Sequence, residues 1–194
     1  MPYVDTFHSL AYGILKDHAE RISIPRDFIV IQQHTHRGIQ KEAYALTFDD
    51  LLLRAVELLE THTDILVHRQ NMFEFLLIDE YQDTDAVQAR LLKLLAGERR
   101  NICVIGDPLQ SIYGFRGADP GHFYAFGRDY PGAKTIHLEY NYRSDKNIVK
   151  ASDALIKESV PGGRESLWVS QHTSAPLQIT TCETDRQEAK FVVK

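Results

Sequence analysis

Long apolar runs are missing from this sequence. Nothing in its 194 residues approaches the roughly 20 apolar residues that span a bilayer, and the N-terminus shows no charged segment leading into a signal-type stretch. Cysteine is scarce: Cys103 and Cys182 make neither a disulfide framework nor a metal-type spacing. A reduced, intracellular setting is expected, with Cys103, inside an apolar run, as a small core residue. Basic charge is also short, 22 Lys and Arg against 27 Asp and Glu, for a net charge of −5. That excludes a global basic signature for a nucleic-acid binder, although a local groove can be basic in an acidic protein.

No phosphate-binding Gly-x-x-x-x-Gly-Lys-Ser/Thr string occurs either. The nearest approach, Gly127 to Thr135, has Ala133 between Gly132 and Lys134. It also precedes an expected strand instead of opening a helix, so its amides could not cradle an anion. His34 and His36 form a His-x-His pair with no third ligand beside them, in a polar stretch broken by Gly38, which suits a solvated connection better than a metal site.

What is present is ordinary for a globular protein: 43% apolar and 25% charged residues, and enough length for one good core or one and a half domains. The organising stretch is Leu76-Leu77-Ile78-Asp79-Glu80-Tyr81-Gln82-Asp83-Thr84. Phe75 to Ile78 is a short continuous apolar run, the pattern of a parallel strand covered on both faces. It stops at two adjacent carboxylates, and in open α/β sheets ligands bind beyond the carboxyl ends of the strands. One carboxylate can hold a divalent cation while the other orients or deprotonates a water.

The pattern repeats at Ile102 to Ile105, followed by a Gly106-Asp107-Pro108 turn and a polar, aromatic loop. Around these strands the punctuation predicts helices. A first helical pattern runs through Leu15 to Ala19, and Pro25 ends that unit before the apolar run Phe28 to Ile31. Thr47 and Asp50 make a capping box ahead of a Leu51, Leu52, Ala55, Leu58, Leu59 stripe. Asp85 caps a helix whose face is Val87, Leu91, Leu94 and Leu95, with Gly97 as its stop. A short helix is expected over Asp119 to Phe126, a strand over Lys134 to Leu138, and a helix capped by Ser144 or Asp145 running to about Glu158. Pro161-Gly162-Gly163 is a break, Pro176 to Thr181 a further strand, and Arg186 to Val193 the start of a helix. Helix and strand in alternation give a parallel α/β sheet.

Three strings in order carry a resemblance. Asp79-Glu80-Tyr81-Gln82-Asp83-Thr84, then Gly106 through Ala118, then Leu138-Glu139-Tyr140-Asn141-Tyr142-Arg143-Ser144 are similar to motifs II, III and IV of the UvrD/Rep/PcrA group of superfamily 1 helicases. Tyr3 to Leu10 contains the Thr-Phe-His-Ser string of that group; the RecB/AddA branch has similar motifs II and III. The resemblance implies a RecA-like parallel sheet with flanking helices, of the P-loop NTPase type but incomplete. Residues 1–137 would be a partial first motor domain, lacking the phosphate loop and most of the family's helical insertion. Residues 138–194 would begin a second RecA-like domain.

It further implies ATP and Mg²⁺ as cofactors, with Asp79 holding the metal, Glu80 activating water, Gln110 sensing the γ-phosphate and Arg143 reaching it from the second domain. Tyr142 would stack on adenine, with Gln82 and Asp107 also at the nucleotide. Thr6, Phe7, His8, Tyr113, Phe115 and Arg116 would line the track for single-stranded DNA or a duplex junction. The remainder of a helicase would be the partner, in the cytoplasm at the nucleoid. Leu109 departs from the family's usual Asp or Lys, and the later motifs, arginine finger included, are absent. Each residue has a structural alternative: Asp79 and Glu80 as ordinary strand-end acids, Arg143 in a surface salt bridge, Tyr142 and Phe7 in a core, His8 packed at a junction, and Ile112 with Phe115 pinning their loop inward. The rival function is a catalytically inactive remnant that serves as a DNA-binding or protein-interaction module.

Overall fold

The computed structural model describes residues 3–31, 44–159, 168–169 and 175–193; His34, His36, Gly38 and the Pro161-Gly162-Gly163 break lie outside them. The chain divides into two compact units, Met1–Lys134 and Thr135–Lys194, each taken by itself below. Both are mixed α/β with short parallel strand pairs and flanking helices, and the first is a partial RecA-like fold.

In the first unit, Thr6 accepts a hydrogen bond from the Ser9 amide and so starts α1 (Phe7–His18). The chain leaves that helix through a 3-10 turn closed by Ser23 at φ 62°, ahead of Pro25. β1 (Ile29–Ile31) pairs in parallel with β2 (Ala45–Thr47). Thr47 then caps α2 (Phe48–Thr61) in the expected box: its Oγ1 accepts from the Asp50 amide at 3.1 Å while the Asp50 carboxylate accepts from the Thr47 amide at 2.8 Å. α3 (Thr63–Met72) follows after one residue. β3 (Leu76–Ile78), α4 (Ala86–Ala96) and β4 (Ile102–Val104) make a βαβ unit, with α4 boxed by Asp85 and Gln88 and stopped at Gly97, φ 49°.

The core is largely helical. Ile14 and Leu15 of α1, Leu51, Leu58 and Leu59 of α2, and Leu91 and Leu95 of α4 are buried together, with Leu76 of β3 packed against them. Arg69 of α3 sits among these layers, its guanidinium paired with Asp17. A charged residue is tolerated at a buried position when it is paired in this way.

Several expectations are corrected. β3 is not covered on both faces: Phe75 is 64% and Leu77 70% exposed, and Cys103, on the same face of β4, is exposed and not a core residue. Side chains alternate along a strand, so only Leu76, Ile78, Ile102 and Val104 turn inward. No strand forms over Lys134 to Leu138 or Pro176 to Thr181, where the apolar side chains Ile136, Leu138, Leu177 and Ile179 are exposed. A β-prone run is a strand only when a partner edge takes its hydrogen bonds.

After β4, α5 (Gly121–Asp129) starts two residues beyond its expected boundary. An aromatic block locks it to the turn after β3: the Tyr81 ring meets Phe126 edge-on at 5.7 Å and Phe123 at 6.2 Å, and Phe126 rests on Tyr130 at 4.6 Å. In the second unit β5 (Tyr140–Asn141) pairs in parallel with β6 (Trp168–Val169), and α6 (Lys146–Ser159) and α7 (Asp185–Val192) follow their strands.

Burial pushes the Tyr81 phenol up to about 12, helped by Tyr130 and Asp129 nearby. The unfolded phenol releases its proton near 10, so this group costs no stability below that pH. Between 10 and about 12 the unfolded chain is deprotonated first, and stability falls as pH rises. A Tyr81→Phe chain should lack that part of the alkaline loss, measured as urea midpoints below and inside the window. An equal loss in both chains would reject this account.

Candidate active site

The register sets the site. Ile78 lies opposite Val104, so β3 and β4 end level and Asp79 and Gly106-Asp107 leave from the same edge. Two backbone bonds hold the exits together: the Ile105 amide donates to Ile78 O at 2.8 Å and the Tyr81 amide to Ile105 O at 3.0 Å. Glu80 then takes a left-handed conformation, φ 53° and ψ 41°, with its amide donating to Asp79 Oδ1 at 3.0 Å. A non-glycine residue there costs about 1–2 kcal/mol. Both carboxylates are exposed.

Beneath them lies Gln82, only 1% exposed. Its Nε2 donates to Glu80 Oε2 at 2.6 Å and to Asp83 Oδ2 at 3.4 Å, and its Oε1 accepts from the Asp107 amide at 3.0 Å. The Ser111 hydroxyl donates to Gln82 O at 3.3 Å. Asp107 in turn takes the Leu109 amide on Oδ1 at 3.0 Å and Gln110 Nε2 on Oδ2 at 2.9 Å. One hydrogen-bonded chain therefore runs from Glu80 through Gln82 and Asp107 to Gln110. Gln82, expected at the nucleotide, is buried here with its side-chain amide engaged by protein groups. Nothing in its spacing from Asp79 marked that role, because its second partner is 25 residues away.

The loop after Gln110 turns its rings outward. Phe115 is 79% exposed and Ile112 is exposed too, so neither pins the loop inward. Arg116 Cζ lies 5.3 Å from the centroids of both Tyr113 and Phe115. The N-terminal string is placed differently: Phe7 packs on the core, His8 meets the Phe48 ring at 5.6 Å, and Thr6 is the helix cap. In the second unit Tyr142 is exposed and stacks on Tyr140 at 6.1 Å. Arg143 is exposed, with its amide on Asn141 Oδ1 at 2.9 Å. Among the described residues no cluster of three or more His, Cys, Asp or Glu could hold a metal, and no helix is long and apolar enough to cross a membrane.

Gly106 is where the two strand exits come closest. A Cβ there would lie 2.3 Å from Gln82 Oε1 and 3.2 Å from the Tyr81 amide nitrogen. Gly106→Ala should displace the Gln82 amide and destabilise the chain by about 1–3 kcal/mol. Gly127→Ala, with open space around it, should cost under about 1 kcal/mol. Equal denaturant midpoints for the two variants would contradict the packing.

Residues 38–131 match the model of the UvrD/REP helicase N-terminal domain. The ATP-dependent DNA helicase PcrA of Staphylococcus epidermidis is 34% identical and that of Staphylococcus aureus 32% identical, each over 99% of this chain. The chain spans about a third of the length of these curated relatives, 34%. The aligned stretch is 251 residues against the 194 present here, a difference of 57. Both matches cover the strings that begin at Asp79 and Gly106 and the level-ended strands that carry them, and the chain is similar to the UvrD/Rep helicases along nearly its whole length.

Proposed function

We propose that this chain is the central part of an ATP-driven motor that moves on single-stranded DNA and separates duplex strands. The observation that carries it is the hydrogen-bonded set Asp79, Glu80, Gln82, Asp107 and Gln110 at the carboxyl ends of β3 and β4. Its residue types suit phosphoryl transfer, which needs a metal, a positioned water and groups that sense the transferred phosphoryl.

The donor set fits Mg²⁺, a hard cation that takes oxygen ligands from one or two carboxylates and completes its shell with waters and substrate phosphates. Asp79 is exposed and uses Oδ1 for the Glu80 amide; its second oxygen is the one we assign to the metal. When bound, Mg²⁺ would neutralise charge developing on the phosphates. Glu80, fixed on one oxygen by Gln82, would orient a water with the other. Gln110 would meet the γ-phosphate. The exposed Tyr113, Phe115 and Arg116 would stack on bases, and the 57-residue shortfall would be the family's helical insertion.

The rival reading is a catalytically inactive remnant; these 194 residues hold no phosphate-binding loop, so on this chain alone a triphosphate lacks its main anchors. Hydrolysis of Mg²⁺-ATP by the chain, with and without single-stranded DNA, is therefore expected not to exceed a Glu80→Gln control. DNA-stimulated turnover that Glu80→Gln abolishes would mean a phosphate cradle of another kind. The DNA role is tested separately, by anisotropy of a labelled oligothymidine. Each base–aromatic stack contributes about 1–3 kcal/mol, so Tyr113→Ala with Phe115→Ala should weaken binding by roughly tenfold or more. Unchanged affinity would sink the DNA assignment.

A further inference from the structure

We propose that Gln82 is a positioning residue: its buried amide holds the Glu80 carboxylate and links it, through Asp107, to the side chain of Gln110. This rests on the assignment of Glu80 as the group that orients water.

The amide has no second orientation. Nε2 faces the carboxylate of Glu80 and Oε1 faces the N–H of Asp107. Turned by half a rotation, an acceptor would face the carboxylate and a donor would face the amide, leaving two mismatched polar pairs inside the protein. Shape agrees with chemistry, because the Oε1 side is closed by Gly106, where no Cβ would fit. The Glu80 end is held as well: the left-handed turn and the Asp79 bond set its backbone, and the 2.6 Å bond sets Oε2.

The Gln110 end is different. Gln110 is exposed, and its Nε2 bonds Asp107 Oδ2. An exposed side chain can exchange that partner for a ligand oxygen at little cost. Asp107 is also the residue whose amide holds Gln82. A change in Gln110 therefore reaches Glu80 through two intervening residues, without any backbone rearrangement of the strands. A glutamine that only fastened two loops would hold them whatever Gln110 does.

The test reads Glu80 directly, by the side-chain carboxyl ¹³C resonance of Glu80 and the side-chain NH₂ pair of Gln82 in the intact chain. Gln110→Ala, at an exposed position, should shift both signals and leave the side-chain amide of Gln88, in the α4 capping box, where it was. In a Gln82→Met background, of similar volume but without the amide, the Glu80 response to Gln110→Ala should vanish. An unmoved Glu80 signal in the Gln110→Ala chain overturns the proposal by itself, even if Gln82→Met does not fold. Persistence of the response in the Gln82→Met chain overturns it too. None of these signals depends on turnover, so absent hydrolysis would count against the chemistry assigned to Glu80 and leave the linkage standing.

Discussion

The level ending of β3 and β4 is the constraint from which the site follows. Parallel pairing with Ile78 opposite Val104 makes both exits begin at one edge, and Gly106 lets them approach until Gln82 bridges them. A slip of one residue would send Asp79 and Asp107 to different heights and turn every side chain of one strand over. Helix α4, capped at both ends and buried along one face, holds that register because it is the crossover between the two strands. The helical core thus acts on the candidate site through one strand pair.

That strand pair is supported on one side only. Leu76, Ile78, Ile102 and Val104 are half-buried, with Leu76 packed on the helical core, whereas Phe75, Leu77, Cys103 and Ile105 are exposed. Parallel strands are usually covered on both faces. An uncovered apolar face of this kind favours association between chains, as do free strand edges. The stability of the site is therefore drawn from the side opposite the bare face, through Leu91 and Leu95 beneath the strands and through the Tyr81, Phe123 and Phe126 block at their ends.

How far this was legible depended on whether the signal was local. The capping box at Thr47–Asp50 and the cap at Asp85 involve residues no more than three apart, and the structure has both. The apolar run at Phe75 to Ile78 fixed a strand but not its surroundings, since four apolar residues in succession say nothing of which faces have neighbours. Helix α3 carried no readable stripe, because one of its two buried positions is Arg69, made tolerable by Asp17 on another helix. The site residues stood out as a set through their order along the chain. The role of Gln82 did not, since its two partners are joined only by strand pairing, and the conformation of Glu80 leaves no trace in composition or spacing.

That conformation is the last link. Among the described residues three non-glycine positions have positive φ: Ser23 and Arg100, which close 3-10 turns, and Glu80. At Glu80 the strain of about 1–2 kcal/mol is balanced by bonds that a relaxed backbone would not make, its amide to Asp79 and its carboxylate to Gln82. Strain persists only where the surroundings over-determine it. Here the surroundings are a buried amide with a single orientation and a glycine with no room for a side chain. The energy stored at Glu80 and the precision of its carboxylate have the same source.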